Sequence, residues 1–242
     1  MSEKVCLVTG GSRGIGRAIC LRMAQEGYRI IVNYRTRADA AEEVCQAIVA
    51  AGGTTRAFAA DVTDPEAVRA LFVSISETEG RLDVLVNNAG QAYEGLFVLT
   101  PPEQTLARID ANLRGVVLCS HAALRLMLRQ KSGVVVNISS GSAFRGPVGL
   151  SAYAASKAAM NSLTQSMARE VAARGIRVNA VAPSWVDTEM TAPMQQKLEE
   201  TLKNIPLKRM STADEVAAAV ALVCRDDMSY YTGQVLVLNG GA

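Results

Sequence analysis

Residues 5–16 read Val5-Cys6-Leu7-Val8-Thr9-Gly10-Gly11-Ser12-Arg13-Gly14-Ile15-Gly16, and this stretch is the first indication of the fold. An apolar strand runs into a glycine-rich turn, and a helical apolar pattern follows from residue 17 to about residue 26, before Gly27. Glycines allow close approach to the backbone, and a helix N-terminus offers unpaired N–H groups and a positive dipole end. The stretch therefore predicts a dinucleotide phosphate site, although the G-x-x-x-G-x-G spacing alone also fits an ordinary tight turn.

The end of the second strand indicates which dinucleotide is bound. Residues 29–33 form an apolar strand that ends at Asn33, and Tyr34 and Arg35 follow. In dinucleotide folds an acidic residue at this place binds the ribose 2′-hydroxyl, whereas an arginine accommodates a 2′-phosphate. Arg35, together with Arg13 in the glycine turn, predicts NADPH (NADP+) as the cofactor. The alternative is that both arginines are solvated surface charges.

Strands and helices alternate through the rest of the chain with short connections. Strands are predicted at residues 54–60, 83–87, 134–138, 176–181 and 233–238, and helices at 38–51, from Pro65, within 101–131, at 151–174 and at 212–224. Residues 101–131 are predicted as one long helix or a broken pair, because Asn112 and Gly115 are unfavourable inside a helix. The alternation predicts one doubly wound Rossmann-type α/β domain over residues 1–242, with a parallel sheet of about seven strands. We expect residues up to about 130 to hold the cofactor and the remainder to supply the catalytic and substrate groups.

Small or polar residues follow several of these strands. Asp61 and Val62 follow the third strand, Asn88-Ala89-Gly90 follows the fourth, and a loop at residues 182–188 follows the sixth. Ligands of such folds bind at the carboxyl ends of the strands. We therefore predict that these segments border the cofactor, with Asp61 near the adenine and Asn88-Ala89-Gly90 near the ribose and nicotinamide. Helix capping by Thr63 or Asp64 explains much of the Asp61 turn equally well.

The predicted chemistry lies in residues 140–157. Tyr153 and Lys157 are four residues apart in an alanine-rich helical run, so they share one face. A phenol with a pKa of about 10 is a poor proton donor near neutrality, and a lysine one turn away is expected to lower that pKa. Ser140 follows a buried strand and is placed to hold a substrate oxygen. An isolated Y-x-x-x-K is more often a surface tyrosine beside a solvated lysine, so this interpretation depends on the surrounding motifs.

Composition excludes several function classes. Hydrophobic residues make up 49% of the 242 residues, and a net charge of +2 without a long basic run gives no argument for nucleic acid. We recognise no signal peptide and no apolar stretch long enough for a bilayer, so we expect no membrane partner and a cytoplasmic location. Five cysteines without C-x-x-C spacing indicate reduced thiols. The single histidine, His121, excludes a multi-histidine metal site, and no metal is predicted.

The motifs T-G-x-x-x-G-x-G, N-N-A-G, Ser140 and Y-x-x-x-K, in this order and over nearly the whole chain, resemble those of the short-chain dehydrogenase/reductase family. The resemblance implies that Tyr153 is the general acid/base and that Lys157 lowers its pKa and binds the nicotinamide ribose. It also implies that Ser140, preferred over Ser139 by its spacing from Tyr153, orients the substrate carbonyl, and that Asn112 supports a proton-relay water through Lys157. The positions that match the family's cofactor contacts are Gly10, Ser12, Arg13, Gly14, Ile15, Gly16, Asn33, Tyr34, Arg35, Asp61, Val62, Asn88, Ala89, Gly90, Tyr153, Lys157, Pro183, Val186 and Thr188.

Within this family the chain is most similar to the 3-oxoacyl-[acyl-carrier-protein] reductases. That resemblance implies a homotetramer that uses NADPH to reduce a ketoacyl group bound to an acyl carrier protein. Lys131 and Arg174 fall where these enzymes have basic residues that dock the acidic carrier protein, although both also read as ordinary charged helix ends.

Departures from the family pattern bear on the substrate. The usual Pro-Gly after the sixth strand is Pro183-Ser184 here, followed by the bulky Trp185, and the last motif is Asn239-Gly-Gly. We expect Trp185 to narrow or line the acyl pocket, and residues 189–204, which are methionine-rich and weakly patterned, to form a mobile substrate lid.

Two other functions fit the same motifs. The first is a reductase or dehydrogenase of a free small carbonyl or alcohol, such as an acyl-CoA, a sugar, a steroid or a xenobiotic. The second is a non-catalytic NADP(H)-binding sensor or scaffold, since a fold alone does not determine function. A scaffold has no need of Asn112, Ser140, Tyr153 and Lys157 together, so we favour an enzyme.

Overall fold

Parallel strands form a central sheet in the part of the chain that the structure describes. The computed structural model describes residues 3–189, 191 and 202–242. Its seven strands are β1 Lys4–Val8, β2 Tyr28–Tyr34, β3 Thr55–Ala59, β4 Val84–Asn87, β5 Gly133–Ile138, β6 Ile176–Pro183 and β7 Val235–Leu238. The prediction of a parallel sheet of about seven strands is confirmed.

The strand order places a ligand-binding crevice in the middle of the sheet. The order is β3-β2-β1-β4-β5-β6-β7. The chain builds outward from β1 to β3, crosses back to lay β4 beside β1, and then builds outward on the other side. Ligands of doubly wound sheets bind where the order reverses, at the carboxyl ends of the strands. In this chain that position lies between β1 and β4.

Helices cover both faces of the sheet. In the described ranges they are α1 Gly14–Gln25, α2 Ala38–Ala50, α3 Pro65–Thr78, α4 Pro102–Gln130, α5 Ser142–Arg145, α6 Ser151–Val171 and α7 Ala213–Cys224. The side chains of β1 explain the two layers, because Cys6 and Val8 point to one face and Val5 and Leu7 to the other. The first face packs against α1, α2 and α7, and the second against α3, α4 and α6.

The structure decides one open alternative and differs from two predictions. Of the two alternatives for residues 101–131, it has the single helix, α4, of 29 residues. Steric contact explains the glycine at position 115 of this helix, since a Cβ there would lie 2.7 Å from Val62 Cγ2. Strand β6 continues through Pro183, because Ala182 and Pro183 pair with β7, so part of the predicted loop is strand. The short helix α5 was not predicted.

Capping residues fix the ends of the helices that lead to the site. Asp64 caps α3 and accepts a hydrogen bond from the Glu66 N–H. Thr212 and Glu215 form the predicted capping box at the start of α7.

None of the helices in the described ranges has the length and apolarity that a bilayer crossing needs. Most of the predicted lid, residues 190 and 192–201, lies outside the described residues.

Candidate active site

The predicted site residues gather at the carboxyl ends of β1 to β6 and on the two helices α4 and α6. The glycine turn joins β1 to α1, Asn33 and Tyr34 end β2, Asp61 follows β3, and Asn88 follows β4. Ser140 follows β5, and Pro183 ends β6. The fold therefore brings segments from six parts of the chain to one sheet edge, as the sequence predicted.

Close packing and backbone conformation require glycine at several positions of the glycine turn. A Cβ on Gly16 would lie 2.1 Å from the Gly10 carbonyl oxygen, and Gly10 and Gly14 have positive φ angles of 61° and 51°. Helix α1 begins at Gly14, has no acidic residue in its first turn, and points its unpaired N–H groups into the crevice. These features fit a phosphate group, because the backbone can approach closely and the dipole end is positive.

Thr9 and Asn88 join this turn to the loop after β4. The Thr9 hydroxyl accepts the N–H groups of Asn88 at 3.0 Å and Ala89 at 3.1 Å. The Asn88 amide donates to the carbonyl oxygens of Thr9 and Gly10, both at 3.0 Å. Asn88 was predicted to border the cofactor, and in the structure its side-chain amide joins the two loops. Thr9 was missed as a site residue, although it is the first residue of the T-G-x-x-x-G-x-G motif.

Asn33 and Asp61 also serve the loops around them. The buried Asn33 amide donates to the Ala60 carbonyl at 3.0 Å, and its oxygen accepts the Gly10 N–H at 3.3 Å. Asp61 accepts the N–H and the hydroxyl of Thr63 at 2.9 and 2.7 Å. The Thr63 N–H bond, with Arg35 nearby, holds the pKa of Asp61 below its usual value. Asp61 therefore stays ionised at neutral pH and stabilises its own turn.

The two arginines predicted for the 2′-phosphate each face a carboxylate. Arg13 Nη1 lies 3.4 Å from Glu189 Oε2, and Arg35 Nη1 lies 3.7 Å from Asp61 Oδ2. All four side chains are more than one-third exposed, so these pairs are weak and open to exchange. A phosphate with two negative charges competes well for such arginines.

The two consecutive serines after β5 have different partners. Ser139 Oγ donates to the Lys157 carbonyl at 3.3 Å and so ties β5 to α6. Ser140 Oγ accepts the Ser142 N–H at 3.1 Å and lies close enough to Tyr153 for hydrogen bonding to lower the tyrosine pKa. The choice of Ser140 over Ser139 is consistent with this geometry.

Lys157 and Tyr153 lie on one face of α6, as their spacing predicted. The Lys157 ammonium lies 5.7 Å from the centroid of the Tyr153 ring and donates to the Ile138 carbonyl at 2.7 Å. Lys157 is only 4% exposed, and burial lowers its pKa to about 8. A cation in this position can attract the negative charge of a phenolate and donate hydrogen bonds to a ribose.

The expected lowering of the Tyr153 pKa by Lys157 is not produced by the protein groups in this arrangement. Burial raises the pKa of Tyr153, and hydrogen bonding with Ser140 lowers it in part. Desolvation thus outweighs the hydrogen bond with Ser140, and the pKa of Tyr153 lies above its usual value.

Asn112 shapes the loop after Gly90. Its oxygen accepts the Gln91 N–H at 2.8 Å, and its amide donates to the Gln91 carbonyl at 2.9 Å and to Ser156 Oγ at 3.3 Å. A Cβ on Gly90 would lie 3.2 Å from Asn112 Oδ1 and 3.7 Å from Lys157 Nζ. The structure therefore brings Asn112 and Lys157 together on either side of Gly90. Gln91 and Ser156 gave no signal in the sequence.

A buried polar network below the site was also missed. Asn87 donates to Ser120 Oγ and to Asn137 Oδ1, both at 2.9 Å, and Asn137 donates to Thr164 Oγ1 at 2.8 Å. These residues link β4 and β5 to α4 and α6 with their polar groups satisfied. Asparagines inside the apolar runs of two strands are the sequence signal that could have revealed the network.

Trp185 lines a cavity on the β7 side of the site. The cavity has a volume of about 160 Å³ and is bordered by Trp185, Ile205, Leu207 and Leu238, with Arg209 and Glu215 also lining it. Within the described residues no group of acidic, cysteine or histidine side chains could hold a metal ion.

Comparisons with known proteins agree with this architecture. The family model described as Enoyl-(Acyl carrier protein) reductase matches residues 10–242. The 3-oxoacyl-[acyl-carrier-protein] reductase FabG of Staphylococcus aureus is 43% identical over 98% of this chain and 97% of its own length. The 3-oxoacyl-[acyl-carrier-protein] reductase of a Synechocystis species is 40% identical over 100% of this chain and 97% of its own length. A crystal structure of an NAD+-bound xylitol dehydrogenase superposes with a TM-score of 0.94, at 30% identity and 99% coverage of both chains.

Proposed function

Because this chain belongs to the short-chain dehydrogenase/reductase family, we propose that it reduces a 3-ketoacyl thioester on acyl carrier protein to the 3-hydroxyacyl thioester, with NADPH. As a family member the chain is an oxidoreductase of the CH–OH/C=O pair that uses a nicotinamide cofactor. The observation that carries the proposal is the meeting of Ser140, Tyr153 and Lys157 at the crevice. Relatives of 39–43% identity named for this reaction support the choice of substrate.

The residues divide the reaction between them. NADPH, when bound, supplies the hydride to the carbonyl carbon. Ser140 donates a hydrogen bond to the carbonyl oxygen, and Tyr153 gives that oxygen its proton as the hydride arrives. Lys157 holds the nicotinamide ribose and offsets the charge left on the tyrosine. Asn112 fixes the loop at Gly90 and Gln91, which borders Lys157. In this position it supports the proton relay through Lys157 that returns a proton to Tyr153.

Cofactor binding is assigned to the first half of the chain. The glycine turn and the N-terminus of α1 would hold the phosphates. Arg13 and Arg35 would bind the 2′-phosphate in place of their partners Glu189 and Asp61. The preference for NADPH over NADH rests on these two arginines, since no acidic residue ends β2.

Lys131 and Arg174 supply the docking surface for the acidic carrier. Lys131 ends α4, and a Cβ on Gly175 would lie 2.7 Å from the Lys131 carbonyl oxygen, so the two basic residues are neighbours. They lie at the amino ends of β5 and β6, whereas Ser140 lies at the carboxyl edge. Because these edges are opposite, a carrier docked at the basic pair would deliver its acyl group to the site of a neighbouring protomer.

A homotetramer supplies such a neighbour. The apolar side chains of Leu106, Val117 and Leu128 are exposed on α4. Their spacing of eleven residues is close to three helical turns, so they form one stripe along the helix. An exposed apolar stripe of this length indicates a surface that another protomer covers.

NADPH oxidation measured with a panel of substrates tests the proposed function. The panel contains acetoacetyl thioesters on carrier protein and on coenzyme A, the matching enoyl thioester, and free ketones and aldehydes. We expect the fastest turnover with the carrier-bound ketoacyl thioester. Replacing Lys131 and Arg174 together by Gln should lower kcat/KM for the carrier substrate about tenfold or more and leave the coenzyme A thioester unaffected. Equal losses for both thioesters would contradict the docking assignment.

A free small carbonyl or alcohol is the second candidate substrate. The structural similarity to a xylitol dehydrogenase and the Ser184-Trp185 departure favour it. Turnover of free carbonyls alone would select this candidate and retain the catalytic residues. Binding of NADPH without turnover of any carbonyl or alcohol would instead support a sensor or scaffold.

A further inference from the structure

Ser184 lies directly against the turn that carries Ser140. A Cβ built on Gly141 would lie 2.2 Å from Ser184 Oγ and 3.2 Å from Ser184 Cβ. Atoms in folded proteins do not approach this closely, so a larger residue at position 141 would force the Ser184 side chain to move. The two positions are therefore sterically coupled.

The Ser184 hydroxyl is also unusual in its surroundings. Its oxygen is buried and has no hydrogen-bond partner among the residues that the structure describes. A buried hydroxyl without a partner is destabilising, whereas glycine at this position would leave no polar group to satisfy. A cost of this kind beside the Ser140 turn indicates a role in the geometry of the site.

Main-chain hydrogen bonds hold the same turn against the end of β6. The Gly141 N–H donates to the Pro183 carbonyl at 2.9 Å, and the Ser184 N–H donates to the Leu238 carbonyl at 2.9 Å. The Ser142 N–H donates to Ser140 Oγ at 3.1 Å. The end of β6 thus packs against residues 140–142, and the Ser184 side chain fills the space between this strand end and the turn.

We propose that Ser184 is a positioning residue, whose hydroxyl packs against Gly141 and thereby holds the Ser140 side chain toward Tyr153. This inference rests on the proposed roles of Ser140 and Tyr153. Without the Ser184 side chain, the turn gains room to settle toward β6, and Ser140 withdraws from the tyrosine. Since hydrogen bonding with Ser140 lowers the pKa of Tyr153, that withdrawal raises the pKa further.

A double-mutant cycle with Gly141→Ala and Ser184→Gly tests the steric coupling in the full-length chain. Gly141→Ala alone should lower kcat by about tenfold or more and lower the free energy of unfolding, because its methyl group overlaps Ser184. In the double variant both losses should largely disappear, because the alanine methyl group occupies the space that the Ser184 side chain leaves and its remaining approach is 3.4 Å to Ser184 Cα. Losses that simply add would overturn the proposal.

A second readout does not depend on turnover. Ultraviolet difference titration against Tyr153→Phe reports the ionisation of Tyr153, and Ser184→Gly and Ser184→Ala should both move it to higher pH. Ser211→Ala is the matched control, because it removes a hydrogen bond to the Trp185 carbonyl at 3.0 Å from the other side of the same loop. It should leave the titration unchanged. An unchanged titration in both Ser184 variants, or an equal shift in the control, would contradict the positioning role.

The two readouts separate this inference from the proposed function. If the wild-type protein turned over no carbonyl, the proposed function would fail, while the titration and the unfolding free energies would still decide the coupling. If turnover occurred and the Ser184 variants behaved as wild type in both measurements, the positioning role alone would fail.

Discussion

At the scale of single residues, Lys157 lowers the free energy of unfolding because its ammonium group is buried. It is almost fully buried, and burial lowers its pKa to about 8, whereas a lysine in an unfolded chain has a pKa of about 10.4. Below about pH 8 the folded chain must keep an ammonium away from water. The hydrogen bond to the Ile138 carbonyl offsets only part of this cost. A residue that destabilises the fold in this way is typical of an active site.

We therefore expect Lys157→Met to be more stable than the wild type at neutral pH, by roughly 1 to 3 kcal/mol. The folded-state pKa is lower than the unfolded one, so wild-type stability rises as the pH rises from about 8 to about 10.4, and the advantage of the variant disappears over that range. Urea unfolding of both proteins at several pH values measures this difference. A variant that is less stable at neutral pH, or an advantage that does not change with pH, would contradict the expectation.

Arg35 is the residue that most directly tests the cofactor preference. Arg35→Asp should raise the KM for NADPH by about tenfold or more and change the KM for NADH little, because the charge-assisted contact with the 2′-phosphate is lost. Arg37→Asp is the matched control, since Arg37 pairs with Asp39 at 3.1 Å two residues further on. The ratio of kcat/KM for the two cofactors is the measurement. An unchanged ratio in Arg35→Asp would mean that the arginine is a surface charge.

At the scale of elements, Gly115 decides how closely α4 approaches the loop after β3. Helix propensity alone favours alanine over glycine by about 1 kcal/mol. The space is already filled, since a Cβ would lie 2.7 Å from Val62 Cγ2. Overpacking of this kind costs about 1 to 3 kcal/mol.

Gly115→Ala should consequently destabilise the wild-type protein by about 1 kcal/mol, although the same change in a Val62→Ala background should be stabilising. Urea denaturation of the four proteins of this cycle gives the sign in each background. The same sign in both backgrounds would refute the steric explanation.

The elements also show which features the sequence could predict. Local signals located the capping box at Thr212 and Glu215, the start of α3 at Pro65, and the strand–turn–helix at the N-terminus. The side-chain partners of Asn33 and Asn88 could not be predicted, because their amides bond main-chain groups that are distant in sequence. For the same reason α4 was left as one helix or two, since its glycine is explained only by contact with Val62.

The candidate site divides in a similar way. Family motifs named Ser140, Tyr153 and Lys157, and the fold brings them together. No motif indicated that burial raises the tyrosine pKa, because that effect depends on the packing of several elements. Nor did any local pattern reveal that Ser184 contacts Gly141, since these residues meet only when β5 and β6 lie side by side.

At the scale of the whole molecule, the sheet separates two surfaces. The proposed catalytic side chains lie at the carboxyl edge, and the basic pair Lys131 and Arg174 lies at the opposite edge. Strand β6, which has eight residues, spans about 25 Å between these edges at about 3.3 Å per residue. The separation gives the proposed tetramer a functional reason, because docking and chemistry can then belong to different protomers.

The tetramer can be tested by sedimentation equilibrium. We expect the wild-type chain to sediment as a tetramer, and Leu106→Glu or Val117→Glu to shift it toward smaller species, because a charge would be buried in the α4 stripe. Val49→Glu on α2 is the matched control, since Val49 is exposed to a similar degree outside the stripe. A monomeric wild type would refute the tetramer, and equal dissociation by all three variants would refute the assignment of its interface.

We propose that Tyr153 gives the proton in an NADPH-dependent ketone reduction. This role is tested by measuring NADPH oxidation by the wild type and by Tyr153→Phe with acetoacetyl carrier protein, together with the Kd for NADPH. We expect the variant to lose about 10²-fold or more in kcat, with a nearly unchanged Kd for NADPH. Full activity in the variant would show that Tyr153 is not the proton donor.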